Sequence, residues 1–151
     1  MIDPPALLAD ATTVLLIDWS HQEVPAMLIR AGFTVLGDEP DGHKRYEIAP
    51  EPIDATIGRS FPLSSAFLVC RPLPELPESI DIVNTFRPAV EHPEIAEMAV
   101  DAGARILWFQ PATGDSPEAR EIAAAAGLVV IDGVGIEQIV GELDIKAKGS
   151  T

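Results

Sequence analysis

The chain is poor in cysteine, in long apolar runs and in basic residues. Its single cysteine, Cys70, excludes an internal disulfide framework and a cysteine-based metal site. No apolar run approaches the roughly 20 residues that a membrane-spanning helix needs. The first five residues, MIDPP, lack the basic region of a signal peptide. We therefore expect a cytoplasmic protein without a membrane partner.

Basic residues are outnumbered by acidic ones. Ten Lys and Arg stand against 24 Asp and Glu, which gives a net charge of −14 at pH 7. A field of that sign repels nucleic acids and anionic membranes, so neither is expected as a partner. An acidic surface also serves solubility alone, and a local basic pocket can still bind an anionic small molecule.

The remaining pattern is an alternation of strands and helices. Residues 12–17 form an apolar, buried-type strand, residues 23–31 a helix that Gly32 ends, and residues 33–37 a second strand. With 151 residues, 47% of them hydrophobic, the chain has the size of one globular domain. The fold class predicted is α/β: a Rossmann-like doubly wound parallel sheet in a single three-layer domain.

This domain is predicted to span residues 1–145, followed by a flexible tail over residues 146–151. Residues 41–65 depart from the alternation because proline and glycine interrupt them repeatedly. We interpret most of this segment as a loop, with short strands at residues 46–48 and 56–57. A loop of such length in a compact domain is functional or mobile.

The most regular part of the chain is residues 80–110. A strand over 80–86, a helix over 91–102 and a strand over 105–109 form one β-α-β unit. Such crossovers are right-handed in nearly all cases, so both strands end at the same edge of the sheet. Ligands of open parallel sheets bind at that edge.

Polar residues that follow the predicted strands are the candidate ligand contacts. The Arg87 guanidinium could pair bidentately with a phosphate or, equally well, with one of the many carboxylates. Gln110 could donate or accept a hydrogen bond. Asp38 ends the second strand, where Rossmann-like folds often place an acid on a ribose hydroxyl; a surface acid is the alternative.

The histidines His21, His43 and His92 show no metal-ligand spacing. His92 is predicted at a helix N-cap, and only His21 lies on the ligand edge. Cys70 ends a strand and is a thiol at this edge or a free buried cysteine. Since no catalytic triad, Walker motif or metal cluster is present, we expect no strong catalysis, and whether the protein is an enzyme stays open.

Two segments resemble a known family. The run IDIVNTFRPAVEHPEIAEMAVDAGARILWFQ, followed by SPEAREIAAAAGLVVIDGVGI, resembles the small bacterial CoA-binding domain family, which is similar to the CoA-binding domain of the succinyl-CoA synthetase alpha subunit. The resemblance covers about residues 80–136. It implies CoA, an acyl-CoA or another adenine nucleotide as ligand, with the adenine against Phe86, Arg87, Pro88 and Gln110. The phosphates would lie near Ser20.

The turn after the first strand departs from the family pattern. Asp18 stands about where the family has a glycine, and Trp19 adds bulk, so only Ser20 matches. Near the last strand the chain has Asp132-Gly133-Val134-Gly135, where relatives often carry a cysteine and a basic residue. The alternative function is therefore a degenerate member that lost its phosphate-binding loop and acts as a protein-interaction or structural module. The oligomeric state is left open.

Overall fold

A computed structural model describes residues 4–21, 23–39, 44–50, 59–63, 66–73, 75 and 77–141. Within these residues, eight strands form one sheet that carries helices on both faces. In chain order the elements are α1 (Pro4–Ala9), β1 (Thr13–Ile17), α2 (Glu23–Arg30), β2 (Thr34–Glu39), β3 (Lys44–Pro50), β4 (Arg59–Leu63), β5 (Ala66–Pro72), β6 (Ile82–Thr85), a 3₁₀ helix (Ala89–Glu91), α3 (His92–Asp101), β7 (Ile106–Phe109), α4 (Pro117–Ala125), β8 (Val129–Ile131) and α5 (136–141).

The strand order is β4-β5-β3-β2-β1-β6-β7-β8. The five strands from β2 to β8 in this order are parallel, whereas β3, β5 and β4 extend the sheet in antiparallel pairs. The doubly wound, Rossmann-like α/β class is thus confirmed. The antiparallel extension was not predicted as such: β3 is longer than the expected strand at 46–48, and it pairs with β2 and β5.

The chain changes direction across the sheet at β1. This strand pairs with β2 on one side and with β6 on the other, so Val14 lies opposite both Val35 and Ile82. We call the side of the sheet where the parallel strands end the carboxyl edge, and the gap between the ends of β1 and β6 the switch point. Crevices at such points are the ligand sites of open α/β sheets.

Alternating side chains of each strand supply two cores. On β1, Val14 and Leu16 face one core together with residues of α1, α2 and α5. Leu15 and Ile17 face the other core, which α3 and α4 cover. Because successive residues of a strand point to opposite faces, one apolar run fills both cores, and three layers result.

Residues at both ends of helix α4 have the types that favour a helix start and a helix end. The Ser116 hydroxyl oxygen accepts a hydrogen bond from the Ala119 N–H, with Pro117 at the first helical position. Gly127 follows the helix with a φ of 81°, a left-handed conformation that favours glycine. Ser116 is therefore the N-cap of α4.

Other expectations are corrected or lie outside the described residues. His92 is not an N-cap: it is the first residue of α3, after Glu91, and its side chain is buried. The predicted strand at 56–57 and the tail over 146–151 fall outside the described part of the chain, as does His43.

Candidate functional site

The turn after β1 forms one wall of the switch point. Asp18 has a φ of 61°, a left-handed conformation that glycine adopts without strain and that aspartate adopts more often than most other residues. Its backbone N–H donates to the Asp38 carbonyl, and its Oδ1 accepts from the Trp19 N–H at 2.9 Å. The backbone at this position therefore has the conformation that a glycine would supply without strain, in agreement with the family pattern.

Trp19 lies on β2. A Cβ added to Gly37 would be 2.9 Å from Cη2 of Trp19 and 3.1 Å from Cδ1 of Ile48. The indole ring therefore lies directly over Gly37, in space that the side chain of any other residue would need. The ring also packs against the core that contains Val14 and Leu16. Its bulk is directed to β2, the side of β1 opposite the switch point.

Ser20 and His21 are exposed in front of α2. The His21 carbonyl accepts a hydrogen bond from the Val24 N–H, which fixes the entry into the helix. Helix N-termini attract anions, but Glu23 lies in the first turn of α2 and opposes that attraction.

Arg87 forms the opposite wall of the switch point, and carboxylates surround it. Its Nε and Nη2 donate to the Glu91 carboxylate at 2.8–3.1 Å, and its Nη1 donates to Oδ2 of Asp18 at 3.2 Å. Of the two interpretations of Arg87, the structure shows the ion pair. The pair with Asp18 connects residues that are 69 positions apart in the chain.

The backbone around Arg87 is anchored on both sides. The Arg87 N–H donates to the Thr85 hydroxyl oxygen at 3.0 Å, and Nε2 of His92 donates to the Arg87 carbonyl at 2.7 Å. The His92 ring stacks on Phe109, with 4.4 Å between centroids. Half-buried Phe86 bonds through its N–H to the Ile17 carbonyl, and Pro88 is exposed. The loop after β6 is thus tied to the sheet and to α3.

Asp38 lies at the end of β2, as predicted, and is buried. Its Oδ2 is 3.6 Å from Nε of Arg45 on the antiparallel neighbour β3. Arg45 was not expected at this position, because its placement depends on the unpredicted pairing of β2 with β3.

Gln110 connects three elements at the carboxyl edge. Its Oε1 accepts from the Ile136 N–H at 2.9 Å and from Nδ2 of Asn84 at 3.0 Å, and its Nε2 donates to Glu137. Since a backbone N–H can only donate, the contact with Ile136 fixes the orientation of both amides. Oδ1 of Asn84 is then left without a partner although Asn84 is fully buried.

Sequence reasoning missed Glu91 and Asn84 as parts of this region. Asn84 carries a visible signal, because it is a polar residue inside the apolar strand β6. Glu91 carries none beyond its spacing of four residues from Arg87, which is common in acidic chains.

The described residues contain no group of three or more His, Cys, Asp or Glu side chains that could hold a metal ion. They also contain no helix with the length and apolar character to cross a bilayer. At the switch point, the carboxylates of Asp18 and Glu91 each form an ion pair with Arg87.

The fold defines the class of protein: a Rossmann-like α/β domain whose order of parallel strands changes direction at a topological switch point between β1 and β6. A family model described as a CoA binding domain matches residues 18–138. The chain belongs to this family, which confirms the resemblance found in its sequence.

Solved structures share the fold. A protein from Thermus thermophilus described as cell-free ID.343 is 20% identical, with a TM-score of 0.63 over 91% of this chain and 94% of that one. A hypothetical protein from Pyrococcus horikoshii OT3 is 22% identical, with a TM-score of 0.63 over 93% and 89%. Prb, described as the PH1109 protein redesigned for binding, is 20% identical, with a TM-score of 0.65 over 93% and 89%. A search of curated proteins finds no match to the chain.

Proposed function

We propose that the protein binds CoA, an acyl-CoA or a related adenine nucleotide at the switch point, without strong catalysis of its own. The observation that carries this proposal is the family match over residues 18–138, since it includes both walls of the crevice. The general rule for ligand position in open α/β sheets supports the same place.

In this proposal the adenine lies against the loop after β6. Phe86 and Pro88 supply apolar surface. Arg87 supplies the plane of its guanidinium to the adenine and its Nη1 to the nearest phosphate. Gln110 acts by holding Asn84 and the start of α5 in place, because its own Oε1 and Nε2 already have protein partners.

The phosphates lie near Ser20, whose exposed hydroxyl stands in front of α2. His21 is exposed beside it and can donate to a phosphate oxygen. Asp38 would accept from a ribose hydroxyl, with Arg45 holding its carboxylate. All three residues lie at the ends of β1 and β2, where the phosphate and ribose of a nucleotide sit in related folds.

A second function is favoured by specific contacts. The Asp18 carboxylate already accepts a hydrogen bond from Arg87, and Glu23 repels an anion from the N-terminus of α2. The net charge of −14 also disfavours an anionic ligand. A family member with these features could have lost the ligand and instead serve as a protein-interaction or structural module.

Direct ligand detection separates the two functions. Freshly purified protein is examined by absorbance ratio and mass spectrometry for a copurified nucleotide, then titrated calorimetrically with CoA, acyl-CoA, AMP and NAD. Binding predicts a copurified nucleotide or heat with CoA. The absence of both, with ligands at millimolar concentration, contradicts the proposed function and favours the interaction module.

A further inference from the structure

We propose that Asp18 is an internal competitor for Arg87: its carboxylate takes the place of a ligand phosphate, and an anionic ligand binds by displacing it. This inference rests on the proposed binding of CoA or an adenine nucleotide. It assigns to Asp18 a role in specificity, namely a penalty on ligands that place a phosphate at the switch point.

The first support is the geometry of the Arg87 guanidinium. The Glu91 carboxylate, four residues further along the chain, accepts hydrogen bonds from Nε and Nη2 at 2.8–3.1 Å. The Nε–Nη2 edge of the guanidinium is therefore bound by a residue close to Arg87 in the chain. Nη1 is directed across the crevice to Asp18 at 3.2 Å. A phosphate that enters between β1 and β6 to reach Nη1 therefore meets the Asp18 carboxylate that is bound there.

The second support is that the two described carboxylates on Arg87 are held unequally. Glu91 contacts the guanidinium through two nitrogens, a paired arrangement that is stronger than one contact. Among the described contacts, Asp18 bonds to the guanidinium through Nη1 only. Its side chain is 38% exposed, against 31% for that of Glu91. Asp18 is thus the partner that solvent or a ligand can replace at the lower free-energy cost.

The third support is the backbone of Asp18. Its φ of 61° is a conformation that costs free energy for a residue with a Cβ, and glycine would remove this cost. The turn nevertheless carries an aspartate whose Oδ2 contacts Arg87. Strained residues of this kind cluster at binding sites and switches.

The charge balance gives the expected selectivity. The Asp18 and Glu91 carboxylates contact the Arg87 guanidinium, and Glu23 lies in the first turn of α2, so a phosphate is repelled until Asp18 leaves Arg87. An uncharged ligand meets no such penalty. The competition therefore acts on phosphorylated ligands and not on their uncharged fragments.

The test compares wild type, Asp18→Asn and Asp18→Gly by calorimetry with CoA and with uncharged adenosine. Asn keeps the size of the side chain, and Gly suits the positive φ, so at least one variant is expected to fold as wild type. We expect CoA affinity to rise about tenfold in both, which is about 1.4 kcal/mol, with adenosine affinity unchanged. The control is Asp115→Asn, which removes a carboxylate from another aspartate–arginine pair, with Arg120, and is expected to change neither affinity.

A double variant distinguishes competition for Arg87 from simple repulsion. In an Arg87→Gln background, Asp18→Asn should give no gain in CoA affinity. A gain that persists there, or an unchanged CoA affinity in folded Asp18→Asn, overturns the competition while wild-type binding upholds the proposed function. CoA binding by Asp18→Asn alone supports the competition and contradicts the proposed function of the wild type. No binding by either protein overturns both.

Discussion

At the scale of single residues, the turn after β1 is shaped by the contact between Trp19 and Gly37. The indole ring occupies space directly above the glycine, at distances that no Cβ could share. Trp19 thereby turns away from the crevice and leaves Asp18 to face Arg87. The bulk of the tryptophan, which by sequence alone was a reason to doubt the phosphate site, lies instead over β2.

This contact predicts the effect of Gly37→Ala. The added methyl group would lie 2.9 Å from Cη2 of Trp19, so the ring or the strand must shift. We expect a loss of about 1–3 kcal/mol in the free energy of unfolding, measured by urea denaturation. Phenylalanine is shorter than tryptophan, so Trp19→Phe should relieve part of this loss in the double variant. Additive losses in the double variant would contradict the contact.

At the scale of elements, the amino ends of β1 and β6 are joined by Asp81. Its Oδ2 accepts hydrogen bonds from the N–H and hydroxyl of Thr12 and from the Thr13 N–H, at 2.8–3.0 Å. Burial raises the pKa of Asp81, but these hydrogen bonds and the charge of Arg105 outweigh burial and lower the pKa below its ordinary value. The carboxylate form is therefore favoured by the folded state.

The lowered pKa predicts a pH-dependent contribution to stability. A group whose pKa is lower in the folded protein stabilises it above the unfolded pKa, and this contribution is lost as the pH falls through the folded pKa. Asp81→Asn should cost about 1–2 kcal/mol at pH 7 and progressively less below about pH 4. Urea denaturation from pH 3 to 7 measures the difference, with exposed Glu97→Gln as the control. A cost that is constant with pH would refute this account.

The elements also show what could be predicted from sequence. β1 and β7 are almost entirely apolar runs between turn residues, and β6 begins with the apolar pair Ile82 and Val83. The positions of these strands and the edge that they share could therefore be predicted. The strands β3 and β4 contain charged residues and proline, and their pairing partners are set by the folded sheet. The contact between Arg87 and Asp18 could not be predicted either. The sequence has 24 acidic residues, and only the fold brings Asp18 next to Arg87.

At the scale of the whole molecule, the net charge of −14 affects both the stability of the folded state and the approach of charged ligands. Mutual repulsion of the carboxylates opposes the compact state, and dissolved salt screens that repulsion over about 10 Å at 0.1 M. The same repulsion opposes the approach of an anionic ligand to the carboxyl edge.

Stability should therefore rise with ionic strength. We expect the urea midpoint to increase between 10 and about 200 mM NaCl, because screening reduces repulsion more than it weakens the few ion pairs. Urea itself carries no charge, so the midpoint reports the effect of the salt. A midpoint that falls over this range would mean that the ion pairs, such as those of Arg87 and Arg120, outweigh the repulsion.

The central claim is that the switch point between β1 and β6 is the ligand site. The most direct measurement is a titration of ¹⁵N-labelled protein with CoA, followed through the backbone amide chemical shifts. The account predicts that the shift changes concentrate at Ser20, His21 and Phe86, while the amides of Thr12 and Arg105 at the opposite edge stay unchanged. Shift changes concentrated instead at the open groove between α3 and α4, around Val100 and Ala126, or no changes at millimolar CoA, would contradict it.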